Sequence, residues 1–427
     1  MSPVVVVQAG QCGNQVGYNL YDSLYNHLYD PDEDVNNLGN GMEEYFRPAS
    51  SASTGPASFF DNMSNSGADS RGKSGSNKYY ARSVCIDTEP KVVNNIMNKS
   101  HNHKNAWSYV PSNILYRHGG AGNNWALGYQ MCSGEFLEES LNSIRKELEM
   151  CDQNASILTT HSTAGGTGSG LGTRMTEAIA DEFPTSTRVN IAIAPYHFGE
   201  VVVQHYNSVL CLSKISASSD AVILFENEVC KQLCHDMWRL DSPSIDDINK
   251  TIVANIIPSL LPKYSYEMDS RGLSYRKSSL SGDVLHLCSH PYYRFLDIKS
   301  TPQTSVESVD FTYDSWHSIT NTLGRMMEQG KASERQLKAS YRASDQQNKN
   351  KNIGSILTLR GPDAFDNEIK PDQFGQSGQS SSASNSRFSD LLRDPVKVYH
   401  SPHATNGYVN ISFVGYVVCL EGYLSVP

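Results

Sequence analysis

Through the first three hundred residues, short apolar runs without polar alternation take turns with stretches whose apolar positions recur every three or four residues. Residues 4–7 are four consecutive valines, which predicts a strand buried on both faces. Val16, Leu20, Leu24 and Leu28 follow at helical spacing. The same reading places strands at residues 83–86, 157–160, 189–193 and 221–225. Helical faces fall on Leu137, Leu141, Ile144 and Leu148, and on Leu171, Met175, Ile179 and Phe183, closed by Pro184. Two more fall on Tyr206, Val209, Leu210 and Ser213, and on Val229, Leu233 and Met237. Strands alternating with helices predict an α/β domain with a doubly wound, mainly parallel sheet, whose ligands bind at the carboxyl ends of the strands. Beyond residue 250 the pattern changes. Residues 355–360 and 408–420 are strand-like, which predicts a smaller α+β domain over 251–427 after a first domain over 1–250. The Ser-, Gly- and Asn-rich residues 49–77 predict a disordered insertion, and the polar stretches 331–352 and 371–387 predict flexible loops. No internal repeat is visible.

Composition narrows the classes. The 427 residues are 38% hydrophobic and 19% charged, and 45 acidic against 35 basic side chains leave a net charge of −10. That balance argues against nucleic acid as a partner, because binding a phosphate backbone needs a basic footprint. It leaves nucleotides open, since backbone N–H groups hold those. No apolar run approaches the ~18 residues of a membrane helix, so no membrane partner is expected. Met1-Ser2-Pro3-Val4 lacks the basic start of a signal peptide. Nine dispersed cysteines read as reduced thiols in a cytosolic compartment. Cys230 with Cys234, and Cys288 with His286 and His290, lack a second ligand pair at zinc spacing and read as buried or incidental.

The chemistry concentrates in glycine-rich turns. Ala164-Gly165-Gly166-Thr167-Gly168-Ser169-Gly170 follows a predicted strand and opens a predicted helix. Glycines let the backbone approach an anion, and a helix N-terminus directs unpaired N–H groups and a positive dipole end at it. Ser162 and Thr167 add hydroxyls. Gly10-Gln11-Cys12-Gly13-Asn14-Gln15 lies between another strand and helix, and Gly119-Gly120-Ala121-Gly122-Asn123-Asn124 precedes Trp125. Three such turns on one βα pattern predict convergence on one rim of the sheet as a phosphate cradle. Asp87 and Glu89 end the second strand, either as Mg²⁺-side carboxylates acting through water or as a solvated pair before Pro90. Asn227 and Asn249 carry amides suited to a purine edge, or to capping and turns.

Two familiar motifs are rejected. Gly67-Ala68-Asp69-Ser70-Arg71-Gly72-Lys73-Ser74 matches a P-loop literally, but it lies inside the Ser/Gly insertion without a strand before it or a helix after it. The dinucleotide fingerprint fails on spacing, since it would need glycine at Leu171 or Thr173.

Gly10-Gln11-Cys12-Gly13-Asn14-Gln15, Gly122-Asn123-Asn124-Trp125-Ala126 and Gly165-Gly166-Thr167-Gly168-Ser169-Gly170 together resemble the tubulin superfamily, in order, over residues 4–302 and more weakly to 361. Residues 82–94, 139–152 and 199–208 resemble the delta kind within it. The resemblance implies a GTP-binding domain, an intermediate domain and a carboxy-terminal helical pair. It implies GTP with Mg²⁺ as ligands and other tubulins or microtubule and centriole components as partners. It also implies a place in the cytoplasm and cytoskeleton, at centrioles, basal bodies and cilia or flagella. Carried over by position, Gln11, Cys12 and Gln15 lie by the phosphates and base. Asn123, Ser162, Gly166, Thr167 and Gly168 cradle the phosphates, Glu89 with Asp87 beside it serves the metal, and Asn227 and Asn249 read guanine.

There are departures from the family. Ile245 stands where the family stacks an aromatic ring on the base, removing a contact worth ~1 kcal/mol. Gln204 replaces a glutamate of the alpha and beta kinds. The resemblance implies a carboxylate that activates water; in the shortened stretch 279–291 Asp283 is the candidate for it, and a carboxylate displaced by one helical turn, about 5.4 Å, could not position that water. The segment 408–427 stands where the resemblance implies two long helices, so the chain reads as shortened there. Two functions follow: a GTP-binding cytoskeletal protein, or a non-hydrolysing structural paralogue that keeps the fold as an interaction surface.

Overall fold

The computed structural model describes residues 2–29, 41–49, 79–102, 107–199, 201–269, 272–301, 303, 322–327, 329–330, 333, 354–360, 396–401 and 410–415. The expected insertion at 49–77 and the expected loops at 331–352 and 371–387 lie, but for Ala49 and Ser333, outside the described residues. The chain divides into two units, Met1–Ile193 with Gly199–Ser219, and Ala194–Phe198 with Asp220–Pro427.

The strands of the first unit are β1 (Val4–Ala9), β2 (Phe46–Pro48), β3 (Tyr79–Ala81), β4 (Ser83–Asp87), β5 (Trp107–Ser108), β6 (Ile114–Tyr116), β7 (Ser156–Ser162) and β8 (Arg188–Ala194). Its helices are α1 (Gly10–Leu28), α2 (Met42–Tyr45), α3 (Pro90–Asn102), α4 (Trp125–Met131), α5 (Glu135–Glu149), α6 (Gly172–Glu182) and α7 (Gln204–Ser218). Five strands form a parallel sheet in the order β6-β4-β1-β7-β8. Val4 to Val7 of the central strand are no more than 2% exposed, as their unbroken apolar run predicts.

Side chains alternate across this sheet, and each face is covered. On one face Val7, Ala9, Val84, Ile86 and Ile157 pack with Phe136 and Ile144 of α5 and Met175 and Ile179 of α6. On the other, Gln8 lies against α1 where Gly17 leaves it room, and its amide donates to Ser83 Oγ at 2.9 Å. Val16, Leu20, Leu24 and Leu28 are buried along α1, as their spacing predicts. Among the described residues, no helix is long and apolar enough to cross a membrane.

Farther from the strands' carboxyl ends, β2, β3 and β5 make a small sheet around an aromatic cluster absent from the sequence reading. Trp107 meets Tyr109 edge-on at 5.4 Å, and Tyr21 meets Phe46 at 5.4 Å. A buried ion pair joins β2 to α5. Arg47 Nη2 lies 3.1 Å from Glu147 Oε1, Arg47 Nε lies 3.3 Å from Oε2, and Asn113 Nδ2 donates to Oε1 at 2.7 Å.

Helix α7 corrects the sequence reading. Its expected apolar face points outward, with Tyr206 74%, Val209 64% and Leu210 45% exposed. The buried face is Gln204, Asn207, Cys211 and Ile215. The inner side faces loops that need hydrogen-bond partners, and these partners override apolar burial.

The second unit contains β9 (Ala221–Glu226), β10 (Tyr264–Asp269), β11 (Gly272–Lys277), β12 (Phe295–Thr301), β13 (Ser355–Arg360), β14 (Val396–Ser401) and β15 (Asn410–Gly415). Its helices are α8 (Asn227–Trp238), α9 (Ile245–Leu260) and α10 (Leu280–Leu287). The strands run β11-β10-β14-β13-β15-β12-β9, with β9–β12 and β13–β14 parallel and the other pairs antiparallel. Ser244 caps α9 reciprocally with Asp247, whose carboxyl is held below its ordinary value by those bonds. Cys230 and Cys234 lie on the buried face of α8, where the Cys234 thiol meets Thr251 Oγ1 at 3.0 Å.

Removing one partner of the buried pair strands a charge. Arg47→Leu is expected to destabilise the protein by about 3–5 kcal/mol, while the double change Arg47→Leu with Glu147→Leu costs much less. Urea unfolding of the three proteins measures both.

Candidate functional site

The carboxyl end of β1 runs without a break into α1, and Gly10 makes the change of direction with φ +72°. A side chain there would be strained, and its Cβ would stand 2.8 Å from the Gly168 nitrogen. The first turn of α1 also rests on β7, with Thr160 Oγ1 donating to the Gly13 carbonyl at 3.0 Å. No acidic residue occupies that turn, so the positive end of the helix is left uncancelled at Gln11 and Cys12. Burial pushes the Cys12 thiol up to about 12, so it stays protonated at neutral pH and is no nucleophile.

Strand β7 ends at Ser162, whose hydroxyl accepts from the Ala164 amide at 3.2 Å. The loop then winds through a π-helical turn, Thr167–Leu171, into α6. At Gly166 the third glycine turn closes in. A Cβ on Gly166 would lie 2.6 Å from the Ala121 carbonyl and 2.7 Å from the Asn124 nitrogen. The three turns therefore converge: Gly10 against Gly168, and Gly166 against the turn ending at Asn124. Gln11, Cys12, Asn123, Ser162, Gly166, Thr167 and Gly168 all lie on these segments, with Gln15 half-buried one turn along α1.

The end of β4 joins them. Thr88 Oγ1 lies 2.5 Å from Thr167 Oγ1, and Glu89 is exposed beside Gly120. Asp87 is 3% exposed. One of its oxygens accepts from the Thr88 amide at 2.7 Å, and the other lies 3.5 Å from Asn14 Nδ2. Burial raises its carboxyl from 3.8 to about 6, against those hydrogen bonds. Among the described residues no lysine or arginine pairs with Asp87, and the buried Asn14 Oδ1 has no partner. An under-compensated carboxylate and a free amide oxygen side by side are a donor set that a hard oxygen-seeking cation relieves.

Below the glycine loop, buried His161 is held neutral by desolvation. Its Nε2 lies 3.1 Å from Asn190 Oδ1, and Asn190 Nδ2 donates to Ser219 Oγ at 2.5 Å. This chain of polar contacts seats the loop on β8.

Asn227, Asn249 and Asp283 belong to the second unit. Asn227 opens α8, Asn249 is buried on α9, and Ile245 at the start of α9 is 67% exposed. Asp283 is 5% exposed, with Lys263 Nζ at 2.6 Å from one oxygen and Ser278 Oγ at 2.5 Å from the other. Both oxygens are engaged, an arrangement that favours an anchor for α10 over a base.

The sequence reading missed four residues. Asn124 accepts from the Ala126 amide at 2.9 Å and the Leu127 amide at 3.4 Å, capping α4, and an asparagine before a helix is the signal for that. Asn14 and Thr88 sat inside motifs singled out for their neighbours. Asn207, which bonds to two of the loops, lies in the stretch 199–208 that resembles the delta kind, but its local spacing carries no sign of those bonds.

Residues 3–235 match the Tubulin/FtsZ family, GTPase domain. The chain is 34% identical to the tubulin delta chain of Canis lupus familiaris over 324 residues, 76% of this chain and 66% of that one. It is 32% identical to the tubulin delta chain of Homo sapiens over the same shares. To the tubulin beta-1 chain of Chondrus crispus it is 30% identical over 260 residues, 58% of this chain and 50% of that one. The match thus spans just under two thirds of the length of the delta-chain relatives.

Asp87 has a pH signature. Because its folded-state pKa is raised to about 6, its contribution to stability is full below about pH 4 and lost as pH rises through about 6. Asp87→Asn is expected to make the nucleotide-free, metal-free protein more stable at about pH 7, by about 1–3 kcal/mol, with the gain vanishing towards about pH 4. Urea midpoints at the two pH values measure it, and a loss of stability at neutral pH would show the carboxylate to be well compensated.

Proposed function

The chain belongs to the Tubulin/FtsZ family, and on that premise we propose that it is a GTP-binding cytoskeletal protein of the delta-tubulin kind. The observation that carries the reading is the meeting of three glycine turns around the uncancelled N-terminus of α1. Amides of residues 10–12 and 166–168 would hold the phosphates, with hydroxyls from Ser162 and Thr167. Asp87 and Glu89 would hold Mg²⁺, which neutralises phosphate charge when bound. Its arrival would also relieve the buried Asp87 carboxylate and the unpartnered Asn14 oxygen. Asn227 and Asn249 are proposed as the guanine readers on the family resemblance. The partners proposed are other tubulins or microtubule and centriole components, at centrioles, basal bodies and cilia in the cytoplasm.

Ile245 and Asp283 favour a second reading for the chemical step. Without the aromatic ring, and with both Asp283 oxygens engaged by Lys263 and Ser278, GTP would act as a bound structural ligand that this chain does not help to hydrolyse.

Thermal shift and filter binding with GTP and ATP, each with Mg²⁺, test the proposal. Ligand at about a hundred times its Kd stabilises by about 2.7 kcal/mol, so GTP is expected to raise Tm where equal ATP does not. Chelating the metal should shrink the GTP shift. An equal response to both nucleotides, or to neither, overturns the reading.

A further inference from the structure

We propose that Asn207 is a positioning residue for the phosphate cradle: from α7 it clasps the turn ending in Asn124 to the loop leaving β7, and so sets their spacing without touching the nucleotide. The proposal rests on the GTP-binding reading.

Three hydrogen bonds define the clasp. Asn207 Nδ2 donates to the Asn123 carbonyl at 2.8 Å and to the Ala164 carbonyl at 2.7 Å, while Oδ1 accepts from the Trp125 amide at 3.1 Å. The residue is 4% exposed, so each bond replaces one that water cannot supply. Only a primary amide offers two donors and an acceptor on one short planar group; an ionised aspartate fails both donor bonds, leucine fails all three, and serine, with a single O–H, fails at least one.

What the bonds hold is specific. Asn123 is one of two non-glycine residues with positive φ among the described residues, at +52°. That conformation carries a cost of ~1 kcal/mol or more, which the bond to its carbonyl offsets. The first three amides of α4 are consumed, Trp125 by Asn207 and Ala126 and Leu127 by Asn124. A phosphate therefore meets this turn through peptides before α4, whose direction Asn207 helps to fix. At the other loop, drawing the Ala164 carbonyl towards α7 turns the Gly165 N–H the opposite way, because a trans peptide sets the two antiparallel.

The rest of the inner face of α7 continues the pattern. Ser208 Oγ lies 3.0 Å from Thr163 Oγ1, and the Cys211 thiol lies 4.0 Å from His161 Nδ1. The helix turns polar side chains inward and leaves Tyr206 and Val209 outside, an inversion explained by the bonds it makes to the loops.

Asn207→Ala and Asn207→Asp in the full chain test the clasp by three readouts: GTP affinity with Mg²⁺, hydrogen exchange of residues 119–131 and 161–171 in the nucleotide-free protein, and the pH dependence of affinity. Losing bonds worth ~1 kcal/mol each is expected to weaken GTP about tenfold or more and to speed exchange in both segments. A carboxylate facing two carbonyls protonates readily and then donates once, so Asn207→Asp is expected to recover several-fold in affinity, relative to the parent, between about pH 8 and about pH 5.5. Asn207→Ala should not. If the parent binds GTP and Asn207→Ala binds within about twofold of it, the positioning role is overturned. Unchanged exchange in both segments of Asn207→Ala overturns it whether or not GTP binds, whereas accelerated exchange in Asn207→Ala when the parent ignores GTP would sink the nucleotide reading and leave the clasp. Should Asn207→Ala fail to fold, the pH recovery of Asn207→Asp decides, and its absence overturns the role.

Discussion

The first unit depends on how closely bare backbone can approach bare backbone at the carboxyl ends of β1, β4 and β7. Gly10 sits where any Cβ would collide with Gly168, and Gly166 where it would collide with the turn at Ala121 and Asn124. Packing at this distance leaves no room for a side chain at Gly10 or Gly166, so bare backbone lines the meeting of the turns, with the Ser162 and Thr167 hydroxyls beside it. Such a surface suits an anion by construction: N–H groups and a helix's positive end lie together, with no acidic side chain in the first turn of α1 to compete.

The same closeness creates a tension. Asp87 is carried into the rim by β4, in parallel register with β6 and β1, and burial there works against its charge. Asn14 is drawn in beside it and left with an unpartnered oxygen among the described residues. Sites that bind charged ligands often carry this kind of local destabilisation, and stability elsewhere must support it. Here the support comes from the valine-rich centre of the sheet, its two layers of helices, and the aromatic cluster that anchors the far end of α1.

The two helices on which sequence patterning is most and least informative show where its reach ends. In α1, Val16, Leu20, Leu24 and Leu28 mark the buried face directly, because that face packs on the sheet and apolar area is what packing rewards. In α7 the apolar residues Tyr206, Val209 and Leu210 mark the wrong face, because its inner side is occupied by loop carbonyls and hydroxyls. Periodicity detects apolar burial; it does not detect a helix buried through hydrogen bonds. The part Asn207 plays was invisible for the same reason, as its partners lie 84 and 43 residues away in the chain. The aromatic small sheet escaped as well, since β2, β3 and β5 are too short to show a period.

From the sequence by itself came the α/β alternation, the order of the glycine turns, the carboxylates at the end of β4 and the family that these motifs share. Those are local properties: strand and helix periods, turn chemistry and motif spacing act within a few residues. Tertiary structure decided that the three turns meet, that Asp87 is buried while Glu89 is exposed, that both oxygens of Asp283 are engaged, and that α7 presents its polar side inward. Each of these depends on which distant backbone comes within a few ångströms, and register and close packing settle that only once the whole sheet has assembled.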